Sequence, residues 1–128
     1  MLNCLIVFLG SGLGGGLRYL MSGFVASRFG ETFPFGTLAV NVIGSFAVGF
    51  FATLTGTEGR WMLPPAGRTF FMGGICGGFT TFSSFSLQTL SLARDAKWLY
   101  AGLNILGSVA LCLVFVWLGH ILASNLNR

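Results

Sequence analysis

From Gly73 to Ser86 the sequence reads GGICGGFTTFSSFS, with glycines, hydroxyls and three phenylalanines and no charge at all. Gly73, Gly74, Gly77 and Gly78, followed by the β-branched Thr80 and Thr81, predict a break in any helix that runs through them. In an apolar setting a break frees backbone groups that protein, water or an ion must satisfy. Freed carbonyls gather cations, and the N-terminus of a half-helix favours anions. The hydroxyls of Thr80, Thr81, Ser83 and Ser84 can donate to an anion or cap the second half-helix. Phe82 and Phe85, three apart, are neighbours on that half-helix, and the positive edge of a phenyl ring tolerates a small anion without a full charge. A glycine packing notch with serine and threonine caps is the plainer account of the same residues.

Two more polar sets have helical spacing. Thr37, Asn41 and Ser45 stand at i, i+4 and i+8, and so do Asn104, Ser108 and Cys112. The hydroxyls can bond back to their own helix carbonyls. An asparagine amide is harder to satisfy that way, so Asn41 is expected to face protein or water. The two stripes form either a shared wet track or a dry hydrogen-bonded seam. Arg18 is the one basic residue inside an apolar segment, placed where it can snorkel to the interface or tie down a loop.

The elements that must position these residues follow from composition. Of the 128 residues, 54% are hydrophobic and 8% charged, with mean hydropathy +0.83. A soluble domain has about a quarter of its residues charged, so this chain lacks the polar surface to cover itself in water. At about 20 residues per crossing, four segments are long enough to span a bilayer: about 2–26, 35–55, 68–92 and 98–122, the third broken near mid-membrane. No basic stretch precedes the first, so it is expected to be retained as a helix and not cleaved as a signal peptide. Pro34 and the Pro64-Pro65 pair suit helix starts, while Trp61 and Trp98 suit the wet boundary. No domain boundary fits between these helices, so residues 1–128 form a single transmembrane domain. The basic residues are scattered, which excludes nucleic acid as a partner. Cys4, Cys76 and Cys112 lack any metal-site or disulfide spacing and read as small buried hydrophobes.

If the four segments cross in turn, Arg60, Arg68 and Arg128 lie on one side and Arg28, Arg94 and Lys97 on the other. Orientation follows the basic bias, and three against three leaves almost none. The expectation is insertion in both orientations and assembly as an antiparallel homodimer. Glu31, Glu58 and Asp95 all fall between the predicted helices. A coupled transporter needs a buried carboxylate, so its absence favours a passive ion pathway, and an anion over a cation.

The run Gly74-x-x-Gly77-Gly78-x-Thr80-Thr81-Phe82-Ser83-Ser84-Phe85, with Arg18 in a glycine-rich first helix and Asn41 in the second, resembles the Fluc/CrcB family of bacterial fluoride channels over nearly the whole chain. Ser84 stands where that family commonly has threonine, and the hydroxyl is kept. The resemblance implies an all-α, dual-topology homodimer in the bacterial cytoplasmic (inner) membrane, with two pores for passive export of fluoride ion. It implies that Asn41, with Thr37 on its stripe, lines each pore. Phe82 and Phe85 would form an aromatic box, and Ser83, Ser84 and Ser108 a polar track, with Asn104 and Cys112 on the same face. It further implies a structural sodium ion at the dimer centre, held by the backbone carbonyls of Gly77 and Thr80, with Arg18 in a structural role. Two other functions suit a chain of this size: a proton-coupled multidrug antiporter, and a structural membrane subunit that transports nothing.

Overall fold

The computed structural model describes residues 1–128, and every regular element in it is helical. Helix α1 is Leu2–Phe29 and α2 is Phe35–Leu54. A third helical stretch follows in three pieces: α3 (Pro65–Arg68), a π-helical run over Thr69–Cys76, and α4 (Gly77–Phe79). Helix α5 is Phe82–Arg94, and α6 is Trp98–Asn127. Only α1, α2 and α6 are unbroken and apolar enough to cross a membrane by themselves.

The expected boundaries shift at several ends for visible reasons. Helix α1 runs on to Phe29 and stops where Gly30 turns to φ 80, its N–H still reaching the Ala26 carbonyl at 2.9 Å. Only glycine adopts that conformation cheaply. Helix α6 continues past residue 122 to Asn127, where its end is anchored to the last turn of α2 and to the connection that follows it. There the Arg60 N–H donates to Asn127 Oδ1 at 2.9 Å, and Asn127 Nδ2 donates to the Thr53 carbonyl at 3.1 Å. Arg68 also donates to the Thr55 carbonyl at 2.8 Å, closing the same corner. Trp61 and Trp98 are both more than half exposed, as boundary residues should be.

Helix α1 packs along the 65–79 stretch, and α2 lies along α6 with α5 against α6's first half. Lipid gives helices no hydrophobic incentive to associate, so close backbone approach has to hold them. At the first interface a Cβ on Gly10 would stand 2.8 Å from Gly74 Cα, and one on Gly78 would stand 2.5 Å from the Ser11 carbonyl oxygen. Gly14 abuts the Ile75 carbonyl equally closely. These contacts relocate the break. The glycine run of the third segment stays helical because its glycines are used for contact with α1. Regular geometry stops after Phe79, at Thr80 (φ −86, ψ 154) and Thr81 (φ −150, ψ 114).

The candidate ion pathway at the interrupted helix

Thr81 is held by Asn41. The Thr81 N–H donates to Asn41 Oδ1 at 2.7 Å, and Asn41 Nδ2 donates to the Thr81 carbonyl at 3.0 Å. One side-chain amide thus satisfies both polar groups of an extended residue, as a neighbouring strand would. Thr81 then caps α5: its Oγ1 accepts from the Ser84 N–H at 3.2 Å and donates to Ser84 Oγ at 3.1 Å. Ser83 Oγ lies 3.3 Å from the same Thr81 oxygen.

In an unbroken helix the N–H groups of Thr81 and Ser84 would serve the carbonyls of Gly77 and Thr80. Here they go to Asn41 and to the Thr81 hydroxyl, leaving those two carbonyls without their intrahelical donors. The Cys76 carbonyl, by contrast, accepts from both the N–H and the hydroxyl of Thr80, each at 3.0 Å. Two oxygens stripped of donors are the hard, neutral ligands that a sodium-like cation takes.

Two cavities meet at Thr81. One, of about 430 Å³, is lined by Asn41, Gly77, Thr80, Thr81, Phe82, Phe85, Ser108 and Cys112, among others, and has no charged residue in its wall. The Phe82 and Phe85 rings lie 5.2 Å apart, centroid to centroid, tilted by 46°. Phe85 is buried, but Phe82 is 77% exposed, so this cavity is a groove with an open side. The other cavity, of about 760 Å³, is polar and is lined by Arg18, Thr37, Thr81, Ser84 and Gln88, with Glu31, Asp95 and Lys97 also on its wall.

The predicted residues therefore divide. Asn41, Phe82, Phe85, Ser108, Gly77 and Thr80 share the groove; Thr37, Ser84 and Arg18 share the polar cavity; Ser83 and Asn104 line neither. Asn104 is 2% exposed and sits in a seam, donating from Nδ2 to Thr89 Oγ1 at 2.9 Å and accepting from Ser108 at 3.3 Å. Thr89 in turn donates to the Phe85 carbonyl at 2.8 Å, so the seam fastens α6 to the backbone of α5. The α6 stripe is thus dry at Asn104 and open to the groove at Ser108. Sequence reasoning passed over Gln88 and Ser91, which continue the face of Thr81 and Ser84 along α5. Their spacing from Ser84 is the signal that finds them.

The amino-acid sequence that builds this site is matched in known proteins. Residues 5–120 match the family model described as "CrcB-like protein, Camphor Resistance (CrcB)". The chain belongs to this family. It is 61% identical over 128 residues to the fluoride-specific ion channel FluC of Paramagnetospirillum magneticum, covering 100% of both chains. It is 61% identical to FluC of Opitutus terrae over 96% of this chain and 93% of the relative, and 52% identical to FluC of Methylocella silvestris over 99% and 97%. CrcB-family proteins of this kind are channels and not enzymes. With three unbroken membrane-length helices and bacterial relatives along its full length, the chain is a multi-pass protein of the bacterial inner membrane.

Proposed function

We propose that this CrcB-family chain is a passive, selective fluoride channel that exports cytoplasmic fluoride and works as an antiparallel homodimer with two pores. The observation that carries the proposal is the meeting of a charged, polar cavity and an uncharged aromatic groove at the Asn41–Thr81 clamp. Full-length relatives named as fluoride-specific channels supply the choice of ion. Fluoride binds its water tightly, so a pore must offer replacement donors without trapping the ion. Asn41 and Ser84 provide amide and hydroxyl donors along the route, Ser108 lines the groove with its hydrogen given to Asn104, and the edges of Phe82 and Phe85 provide weak positive potential there.

The second copy is called for by the groove's open side. Asn41 and Ser108 lie in the same wall as Phe82, and polar groups do not face lipid when a protein surface can cover them. The balanced basic residues allow that copy to insert the opposite way round. One chain offers a sodium ion only the Gly77 and Thr80 carbonyls; two chains around a central axis would offer four, so the ion would hold the breaks of both subunits together. Proton coupling has no support here, since Glu31 and Glu58 lie in connections and Asp95 caps the end of α5.

Purified protein in liposomes loaded with both fluoride and chloride provides the test. Fluoride release with chloride retained is the expected result. Release of neither halide from folded protein would instead favour a structural subunit.

A further inference from the structure

The polar cavity carries two cations, Arg18 and Lys97, and two carboxylates, Glu31 and Asp95, so its formal charges cancel. Preference for an anion there must come from neutral donors. Along α5, Thr81, Ser84, Gln88 and Ser91 recur every three or four residues, and all of them line this cavity. Ser84 Oγ already accepts from Thr81, so its own hydrogen is free to point into the cavity. Gln88 is the unusual member. Its Oε1 is the only buried side-chain nitrogen or oxygen in the chain with no hydrogen-bond partner. Its Nε2 also makes no hydrogen bond, yet it is not among the sealed atoms.

A half-turn about the terminal bond would exchange the two ends of the amide and place the carbonyl on the open side. With no partner on either end, the Gln88 amide is free to turn its donor toward the cavity. A partnerless amide in the wall of a polar cavity is unfavourable, and an ion that accepts a hydrogen bond there satisfies its Nε2–H.

We infer that Gln88 is a specificity residue of the polar cavity, donating from Nε2–H to a fluoride ion one helical turn before that ion reaches Ser84 and the Asn41–Thr81 clamp. This rests on the fluoride-channel function proposed above. Gln88 replaces part of the ion's water where the net charge of the wall is zero. The following step to the Ser84 hydroxyl is then an exchange between donors.

The experiment measures initial fluoride efflux from liposomes at matched protein density, over a range of internal fluoride, for the unsubstituted chain, Gln88→Leu and Gln88→Glu. Leucine removes donor and acceptor at similar size, whereas glutamate keeps the acceptor oxygens and loses the donor. Gln88→Leu is expected to be slower by about tenfold, the worth of one hydrogen bond to an ion, and Gln88→Glu slower still because its charge also repels fluoride. The half-saturating fluoride concentration is expected to rise while dimer content is unchanged, which a packing role would not produce. Gln88→Met substitutes for leucine if that variant misfolds. If Gln88→Leu and Gln88→Met run at the unsubstituted rate, the inference is overturned. It is overturned equally if only the leucine variant is slow, because the acceptor would then be the working group. An unsubstituted chain that releases no fluoride would instead defeat the proposed function.

Discussion

Asn41 gives both ends of its side-chain amide to the backbone of one residue, Thr81, and that single commitment fixes the interrupted helix. Replacing it with leucine keeps the bulk but strands the N–H and carbonyl of Thr81. Each stranded group costs about 1–3 kcal/mol, so Asn41→Leu is expected to lower the melting temperature in detergent and to abolish fluoride efflux. Asn41→Asp keeps an acceptor for Thr81 N–H and loses the donor, so it should fold better than the leucine variant yet carry less fluoride than the unsubstituted chain. The phenylalanines separate in the same way. Phe82 and Phe85 face the groove; Phe79 is 8% exposed and lies 3.3 Å from the Cβ position of Gly44, outside it. Phe82→Ile and Phe85→Ile are expected to cut flux sharply while the protein stays folded and dimeric. Phe79→Ile should act mainly on stability, at about 1–3 kcal/mol for a reshaped core. Equal flux in all three variants would remove the rings from the pathway.

At the scale of elements, the α1 face toward the third segment leaves no room for a methyl group. Gly14 abuts the Ile75 carbonyl, whereas a Cβ on Gly12 would meet nothing within 4 Å. Gly14→Ala is therefore expected to destabilise the chain by about 1–3 kcal/mol through overpacking, and Gly12→Ala to leave its stability unchanged or slightly raised by better helix propensity. Thermal unfolding of the two variants side by side checks the difference. The sequence marks both glycines alike, since Gly10 and Gly14 have the same four-residue spacing as Gly12 and Gly16. Which of them touch a neighbour depends on how α1 is rotated against the 65–79 stretch, and no local pattern encodes that rotation. The π-helical run Thr69–Cys76 was equally illegible. It arises inside a segment whose composition suits an ordinary helix, next to the site where the chain leaves helical geometry.

For the whole molecule, orientation and assembly are the quantities at stake. With Cys4, Cys76 and Cys112 replaced, single cysteines placed at the two termini should each be labelled from both faces of intact membranes. Labelling from one face alone would end the antiparallel arrangement. Adding two lysines to the 30–34 connection should tip the basic count and bias insertion toward one orientation, with a matching fall in fluoride efflux. The proposed sodium is checked by exchange for a heavier monovalent cation, whose anomalous signal is expected beside Gly77 and Thr80 on the two-fold axis. A dimer crystal with no cation there would remove it.

The amino-acid sequence by itself determined the membrane setting, the helical class and the neighbourhood of the site. Apolar length and scarcity of charge are local properties, and the TTFSSF run with its flanking glycines is specific enough to carry the family. The sequence also singled out Asn41 as an amide that its own helix could not satisfy. Tertiary structure alone decided what Asn41 bonds to, because its partner lies 40 residues away on another helix. It moved the break from the glycines to Thr80 and Thr81, since the space beside Gly74 and Gly78 is filled by α1 and therefore rewards a continuous helix there. It divided one polar stripe into a dry seam at Asn104 and a groove wall at Ser108, two residues one turn apart with different neighbours on α5. Spacing tells which residues share a face. What that face meets is set by the packing of helices far apart in the chain.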